Sequence, residues 1–272
     1  MVQKTFSIYA DDLSGCRLFI EAGHQHIAAW FADTITGSLK ALEFFQFDRE
    51  ADTNMNDVAA EVKKHSRLMS MQMDAALIVL ENAACTLVPS AFFNESLAAG
   101  YLNITAGEDS EENSLLVEHY KEYSVVSKHP TAYAAAVKKH LAVGPLSHKF
   151  TTLLKKHSNY TPALPTVARV VFYPQRLIIL VVKNDVLQIV QSIDFSTAED
   201  ALYSIMHICT QCGVDANTTP VIASGLINAG SSLHDILHRY IEHFEIEQSP
   251  DAAFAAEGFA EHPRHYFLPF IQ

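Results

Sequence analysis

Near its start the chain alternates between apolar and polar positions. Phe6, Ile8 and Ala10 alternate with Ser7 and Tyr9, and Cys16, Leu18, Ile20 and Ala22 alternate with Arg17, Phe19 and Glu21. This is the two-residue period of strands. Between them, in the stretch S-I-Y-A-D-D-L-S-G-C-R-L-F-I (7–20), stand Asp11, Asp12, Ser14 and Gly15. The reading is a hairpin, two short strands joined by a tight polar turn. Gly23-His24 makes the next corner, a third strand follows at 26–32, and a Phe-rich segment at 42–47. Met55, Val58, Val62, His65 and Met69 then recur at helical spacing, with Asn54 as N-cap and Asp57 in the first turn. A buried strand at 75–80 and an extended piece at 86–89, whose Pro89 suits a helix start, complete a β-β-β-α-β opening.

The middle, 107–113, is acidic and polar, and a strand pair is expected at 115–121 and 123–127. Pro130 suits the first turn of a helix whose apolar face is Tyr133, Val137 and Leu141. The stretch 159–165, with two prolines, is the boundary between halves, which gives lobes at 1–162 and 163–272. Strands follow at 167–173, 177–182 and 186–195, joined by the hairpin turns Pro174-Gln175-Arg176 and Lys183-Asn184-Asp185. Ser196 and Glu199 form a capping-box pattern before the stripe Ala198, Leu202, Ile205, Cys209 and Cys212, with Gly213 at the helix end. A strand at 220–223 leads to a second capping pattern, Ser232 with Asp235, and the stripe Leu233, Ile236, Leu237, Tyr240 and Ile241. The second half thus also opens β-β-β-α-β. Two such halves predict an α/β protein of duplicated lobes, of the ribonuclease-H-like or actin-like kind, with a cleft between them.

Composition narrows the function classes. The 272 residues are 49% hydrophobic and 18% charged, which suffices for a real core. With 19 Lys plus Arg against 31 Asp plus Glu the formal net charge is -12, so a nucleic-acid backbone would be repelled. No apolar run approaches a membrane span and no leader precedes the first strand pattern, so the expected location is the cytoplasm. Cys16, Cys85, Cys209 and Cys212 sit in apolar contexts that fit reduced core thiols.

The opening hairpin, Thr86-Leu87-Val88-Pro89 with Phe92-Phe93, the segment from Val171-Phe172-Tyr173-Pro174 through Ile193-Asp194-Phe195, and Ser224-Gly225-Leu226 resemble a family of uncharacterised bacterial proteins, domain of unknown function 3822. The resemblance spans nearly the whole chain. It implies an actin-like ATPase fold, similar in shape to the actin-like proteins of pilus-assembly and type II secretion machines, and no known activity.

An actin-like fold that binds ATP uses two hairpin turns whose backbone N–H groups cradle phosphates, an acid at each for the metal, and a Gly-Gly pair beside the adenosine. Asp11-Asp12-Leu13-Ser14 resembles the first loop, Asp-x-Gly-Ser/Thr, with Leu13 in place of glycine. Tyr173-Pro174-Gln175-Arg176 has neither acid nor glycine, and Pro174 removes a donor. Ala223-Ser224-Gly225-Leu226 keeps one glycine of two. The expectation is therefore a non-catalytic pseudo-ATPase, a scaffold or interaction module for a protein partner, with no cofactor; self-association stays open. The alternative is an ATP-binding switch or weak ATPase using Mg-ATP through Asp11, Ser14, Gly15, Ser224 and Gly225. Turn chemistry alone also explains those residues.

A metal reading has two sources. In His207-Ile208-Cys209-Thr210-Gln211-Cys212 the cysteines share the apolar face, and His207 lies about 140° to 160° away on a helix. His234, His238 and Glu242 stand at i, i+4 and i+8, which is feasible ligand spacing and equally a solvated polar face. No G-x-S-x-G, P-loop or G-x-G-x-x-G occurs. The paired acids Glu111-Glu112 and Glu199-Asp200 fit an acidic loop and a first helical turn.

Overall fold

The computed structural model describes residues 1–48, 53–71, 73–81, 84–106, 113–159 and 164–271. Two compact units emerge. The first takes Met1–Asn159 with Phe254–Gly258, and the second takes Tyr160–Ala253 with Phe259–Ile271. The expected 162/163 break and the acids Glu111-Glu112 lie outside the described residues. Residues Phe254–Gly258, counted with the second lobe by sequence, pack with the first: Ala255 N–H donates to Leu39 O at 3.0 Å.

In the first unit, β1 (Val2–Tyr9), β2 (Cys16–Ala22), β3 (His26–Asp33) and β4 (Leu39–Phe47) precede α1 (Met55–His65) and β5 (Ala75–Leu80). Then come β6 (Cys85–Pro89), α2 (Ala98–Ala106), β7 (Asn113–Tyr120), β8 (Tyr123–Pro130), α3 (Thr131–His140), β9 (Leu146–His148) and α4 (Lys149–Ser158). The main sheet has the order β1-β4-β3-β2-β5-β9, and a smaller sheet the order β6-β8-β7. This corrects the opening. The Phe-rich segment is a full strand, so four strands precede α1, and β1 and β2 do not form a hairpin. β1 pairs with β4, whereas β2 pairs with β3 and β5.

The second unit holds β10 (Val167–Tyr173), β11 (Arg176–Lys183), β12 (Val186–Asp194), α5 (Ala198–Gln211), β13 (Val221–Gly225), α6 (Ser232–Tyr240) and β14 (Phe244–Ile246), in the sheet order β12-β11-β10-β13-β14. The first unit repeats this as β4-β3-β2-β5-β9, antiparallel in the first three strands and parallel thereafter, with β1 added beside β4. By order in the sheet, the counterpart of the β10–β11 turn is the β2–β3 turn. The Asp11–Gly15 stretch lies one connection earlier.

Strand alternation builds each core. Leu18, Ile20 and Ala22 of β2, Ile27, Ala29 and Phe31 of β3, and Ile78 and Leu80 of β5 pack against Ala59, Val62, Ala136 and Val137 of α1 and α3. In the second unit Val170, Phe172, Ile179 and Ala223 meet Ala201, Ile205, Cys209 and Leu237 from α5 and α6. Local signals end the helices. Asn54 caps α1, Thr197 with Asp200 forms the capping box of α5, one residue later than the expected Ser196 pairing, and Ser231 caps α6. Gly213, at φ +65°, closes α5 with Val214 N–H on Cys209 O.

One buried carboxylate fixes β1 to the sheet. Glu43, fully buried in β4, accepts from Lys4 Nζ at 2.9 Å, Arg67 N–H at 2.9 Å, Leu68 N–H at 3.3 Å, and the hydroxyls of Tyr9 and Ser66. Burial alone would raise its pKa, and the Ser66, Tyr9 and Lys4 hydrogen bonds hold it below the usual carboxylate range instead. Glu43→Ala is expected to cost about 3 to 5 kcal/mol, because it strands a half-buried lysine and four other donors in and around a buried site. Urea unfolding of the variant checks this; a loss under about 1 kcal/mol would assign the pinning elsewhere.

Candidate functional site

The parallel strands β2, β5 and β9 run side by side, and their carboxyl ends form the edge where open α/β sheets bind ligands. At the end of β2 stands Glu21, followed by Ala22-Gly23-His24. This matches the Asp-x-Gly-Ser/Thr spacing of an actin-like phosphate hairpin, with Glu for the acid and His24 for the hydroxyl. By order in the sheet, Glu21–His24 rather than Asp11–Ser14 leads into the turn that corresponds to the β10–β11 turn of the second unit.

Glu21 points away from the helix-packed core, since Leu18, Ile20 and Ala22 take the other face. It is completely buried. Lys149 Nζ donates to its Oε2 at 2.6 Å, and His26 Nε2 lies 2.9 Å from Oε1. Burial works to raise the Glu21 carboxyl; the Lys149 charge and the hydrogen bonds from His26 and Lys149 outweigh it and hold it at about 2. His26 also stacks on Phe44, ring centres 5.2 Å apart. Its imidazole lies over Gly23, where a Cβ would come within 2.0 Å of the ring.

The turn itself is tied inward. His24 N–H, a donor a phosphate would take in a nucleotide-binding hairpin, bonds Glu81 Oε2 at 3.1 Å from the end of β5. Tyr133 OH of α3 donates to Gly23 O at 2.9 Å. At β9, Glu118 accepts from Ser147 Oγ at 2.6 Å, His148 N–H at 2.6 Å and Thr151 Oγ1 at 2.9 Å, which places a carboxylate on the amino end of α4.

The other sequence candidates fall elsewhere. Asp11, Asp12, Ser14 and Gly15 are exposed. Asp12 accepts from Ser14 N–H and Oγ at 2.8 Å, an Asx turn, and Ser14 pulls the Asp12 carboxyl below its ordinary range. Gly15 O accepts from Thr34 N–H at 2.9 Å, and Leu13 anchors the loop on the core. In the second unit the turn Tyr173-Pro174-Gln175-Arg176 is closed by Gln175 at φ +55° and by Arg176, whose Nε and Nη2 reach Asp194 at 2.6 and 3.1 Å. Ser224 is buried in β13. Gly225, at φ +82°, sits so close to Phe172 that a Cβ would meet its carbonyl oxygen at 2.2 Å, so strand packing accounts for it.

The histidine triad of the metal alternative does not assemble. α6 ends at Tyr240 with Ile241 as C-cap, so Glu242 leaves the helical face of His234 and His238. Those two rings stack 5.8 Å apart, and His234 Nδ1 lies 3.5 Å from Asp235 Oδ1. On α5, His207 stacks on Tyr203 on the exposed side while burial pushes the Cys209 thiol up to about 11. Among the described residues no group of three His, Cys, Asp or Glu side chains is placed to hold a metal ion, and no helix is long and apolar enough to cross a membrane.

The sequence reading missed Glu21, His26, Glu81 and Lys149 as a group. A charged residue inside the apolar run Leu18-Phe19-Ile20-Glu21-Ala22 was a usable signal. Lys149, 128 positions away, carried none.

A structure from Bacteroides thetaiotaomicron, described as a protein with actin-like ATPase fold and unknown function, superposes with TM-score 0.71 at 12% identity, covering 86% of this chain and 91% of that one. A PilM–PilN type IV pilus biogenesis complex matches with TM-score 0.58 at 13% identity over 88% and 90% of the two chains. These likenesses show the actin-like fold. A search of curated proteins finds no match. The family model described as "Protein of unknown function (DUF3822)" matches residues 3–244, and the chain belongs to that family.

Proposed function

We propose that this chain is a non-catalytic member of the actin-like fold, an interaction module or scaffold that binds a protein partner and neither holds nor hydrolyses ATP. One observation carries the reading: the hairpin at the phosphate position, Gly23-His24, is already occupied by the chain's own groups. Its N–H bonds Glu81, and the acid beneath it, Glu21, commits one oxygen to Lys149 and the other to His26. A lysine ammonium thus neutralises the carboxylate that an ATPase would turn toward its metal. The turn at Pro174-Gln175 lacks acid and glycine alike and is braced by Arg176 and Asp194. PilM, solved with PilN, is a similarly folded protein in a complex, which supports a binding role.

Titration with Mg-ATP tests the reading. A native-state ligand at a hundred times its Kd adds about 2.7 kcal/mol of stability, which a thermal-shift assay reads easily. No change in Tm and no saturable heat in calorimetry are expected. Saturable binding weakened by Glu21→Ala or Asp11→Ala would overturn it.

The same ion pair predicts an acid response. Glu21 has its carboxyl depressed from 4.5 to about 2, so its stabilisation is complete above pH 4.5 and is lost as pH falls from there to about 2. The loss is on the order of 3 kcal/mol. Urea midpoints measured across that window should fall less steeply in Glu21→Gln/Lys149→Met, which removes both charges, while Glu21→Gln alone should be destabilised at neutral pH by about 3 to 5 kcal/mol. Parallel pH profiles for wild type and the double variant would count against the pair.

A further inference from the structure

α2 packs over the small sheet of the first unit through Ala98 and Leu102, which meet Val88 and Val126, with Phe93, Tyr101 and Val117 at the edges. Its other side carries an apolar stripe flanked by the exposed Asn103 and Thr105. Leu97, in the 3-10 turn Glu95–Leu97 that runs into α2, is followed by Gly100 and Ile104 at i+3 and i+7, the spacing of one helical stripe. Leu97 is 54% exposed, Ile104 84%, and Phe92, in the short turn that leads to the helix, 77%. α2 contains no charged residue, whereas α1, α3, α4, α5 and α6 all carry some. A second apolar stripe on a helix that already packs through its first belongs against another surface. This one faces solvent.

Gly100 sharpens the point. Glycine weakens a helix relative to alanine, and a Cβ built here meets nothing within 4 Å, so the unit's own packing does not require it. An unobstructed glycine between Leu97 and Ile104 lets a second backbone approach closely.

Charge selects the occupant. Between Arg67 and His119 the sequence has no Lys, Arg or His, while its acids among the described residues are Asp74, Glu81, Glu95 and Glu118. Glu81 and Glu118 are engaged inside the unit; Glu95 is exposed two residues before Leu97. A second copy, itself at net charge -12, and an anionic membrane would both be repelled. We propose that the outer face of α2, formed by Phe92, Leu97, Gly100 and Ile104, docks an amphipathic helical segment of a protein partner, with an apolar stripe flanked by Lys or Arg. This is helix-on-groove recognition with i, i+3 and i+7 anchors, and it rests on the interaction-module reading.

The probe is a dye-labelled synthetic helical peptide with a leucine stripe and lysine flanks, titrated with the full chain by fluorescence anisotropy beside a twin peptide with glutamate flanks. The lysine peptide is expected to bind saturably and more weakly as salt rises, and the glutamate peptide not to bind. Ile104→Asp should weaken binding about tenfold or more, although its added negative charge would strengthen a purely electrostatic attraction. Gly100→Gln, which projects into open space, should weaken it too while circular dichroism and Tm confirm the fold. Equal binding of both peptides, undiminished binding by Ile104→Asp, or self-association of the chain through Ile104 in sedimentation would overturn the proposal. Mg-ATP binding would defeat the reading of the preceding subsection and leave these readouts unchanged; failure of the peptide at α2 with ATP inert defeats this inference alone.

Discussion

Lys149 opens α4 at the amino end, where the helix dipole disfavours a cation by about 0.3 to 1 kcal/mol, and it is fully buried. Only an anion at contact distance makes that position tolerable, and Glu21 supplies it from β2. The converse holds for Glu21, a carboxylate taken out of water in the middle of a sheet. Each group would be prohibitively placed alone. Together they require that β2 and the start of α4 meet, which fixes β9, paired to β5, at the far side of the sheet. Glu118 completes the arrangement by offering the acid that the end of α4 prefers. The first unit's ligand edge is therefore a closed polar network whose charges are set against one another.

The second unit has the same strand order and a different closure. There the first turn is two residues, Pro174-Gln175, with a non-glycine residue at positive φ, and the brace is Arg176 on Asp194 across β11 and β12. Bidentate geometry lets a planar guanidinium hold both oxygens of one carboxylate. In both units an acid and a cation of the chain answer each other beside the first turn.

Much of the fold was legible. The duplicated strand-rich openings, α1 with its Asn54 cap, β5, α3, α5 and α6 follow from period and capping, because a half-buried element must repeat its apolar positions. What alternation does not encode is which strands pair. β1 and β2 look like a hairpin, and the polar turn between them has hairpin residues, but β1 is a further edge strand that finds β4 through Glu43 and its Lys4 and Tyr9 partners. That single extra strand displaced the reading of the phosphate turn by one connection. The acid, glycine and spacing sought at Asp11–Ser14 stand at Glu21–His24, where Glu21 reads as one more strand residue until Lys149 is seen against it. A contact spanning 128 positions leaves no local trace. Likewise α2 carries no charge pattern to announce it, and its lead-in turn is capped at Asn94.

A nucleotide-driven actin-like protein must leave its phosphate turns unsatisfied until the ligand arrives, so that ligand binding can select a conformation. Here that free energy is spent within the chain. With His24 N–H on Glu81 and Glu21 on Lys149, these groups at the turn find partners within the first unit itself. Internal bonds of this kind preorganise the turn, and preorganisation lowers the entropic cost of docking a partner. The contrast within the first unit follows from this: polar groups at the sheet's ligand edge are consumed internally, and the apolar groups left unsatisfied, Phe92, Leu97 and Ile104, lie on the outside of α2. Within the first unit the uncovered capacity for interaction therefore lies on the surface of a helix rather than at the edge of the sheet.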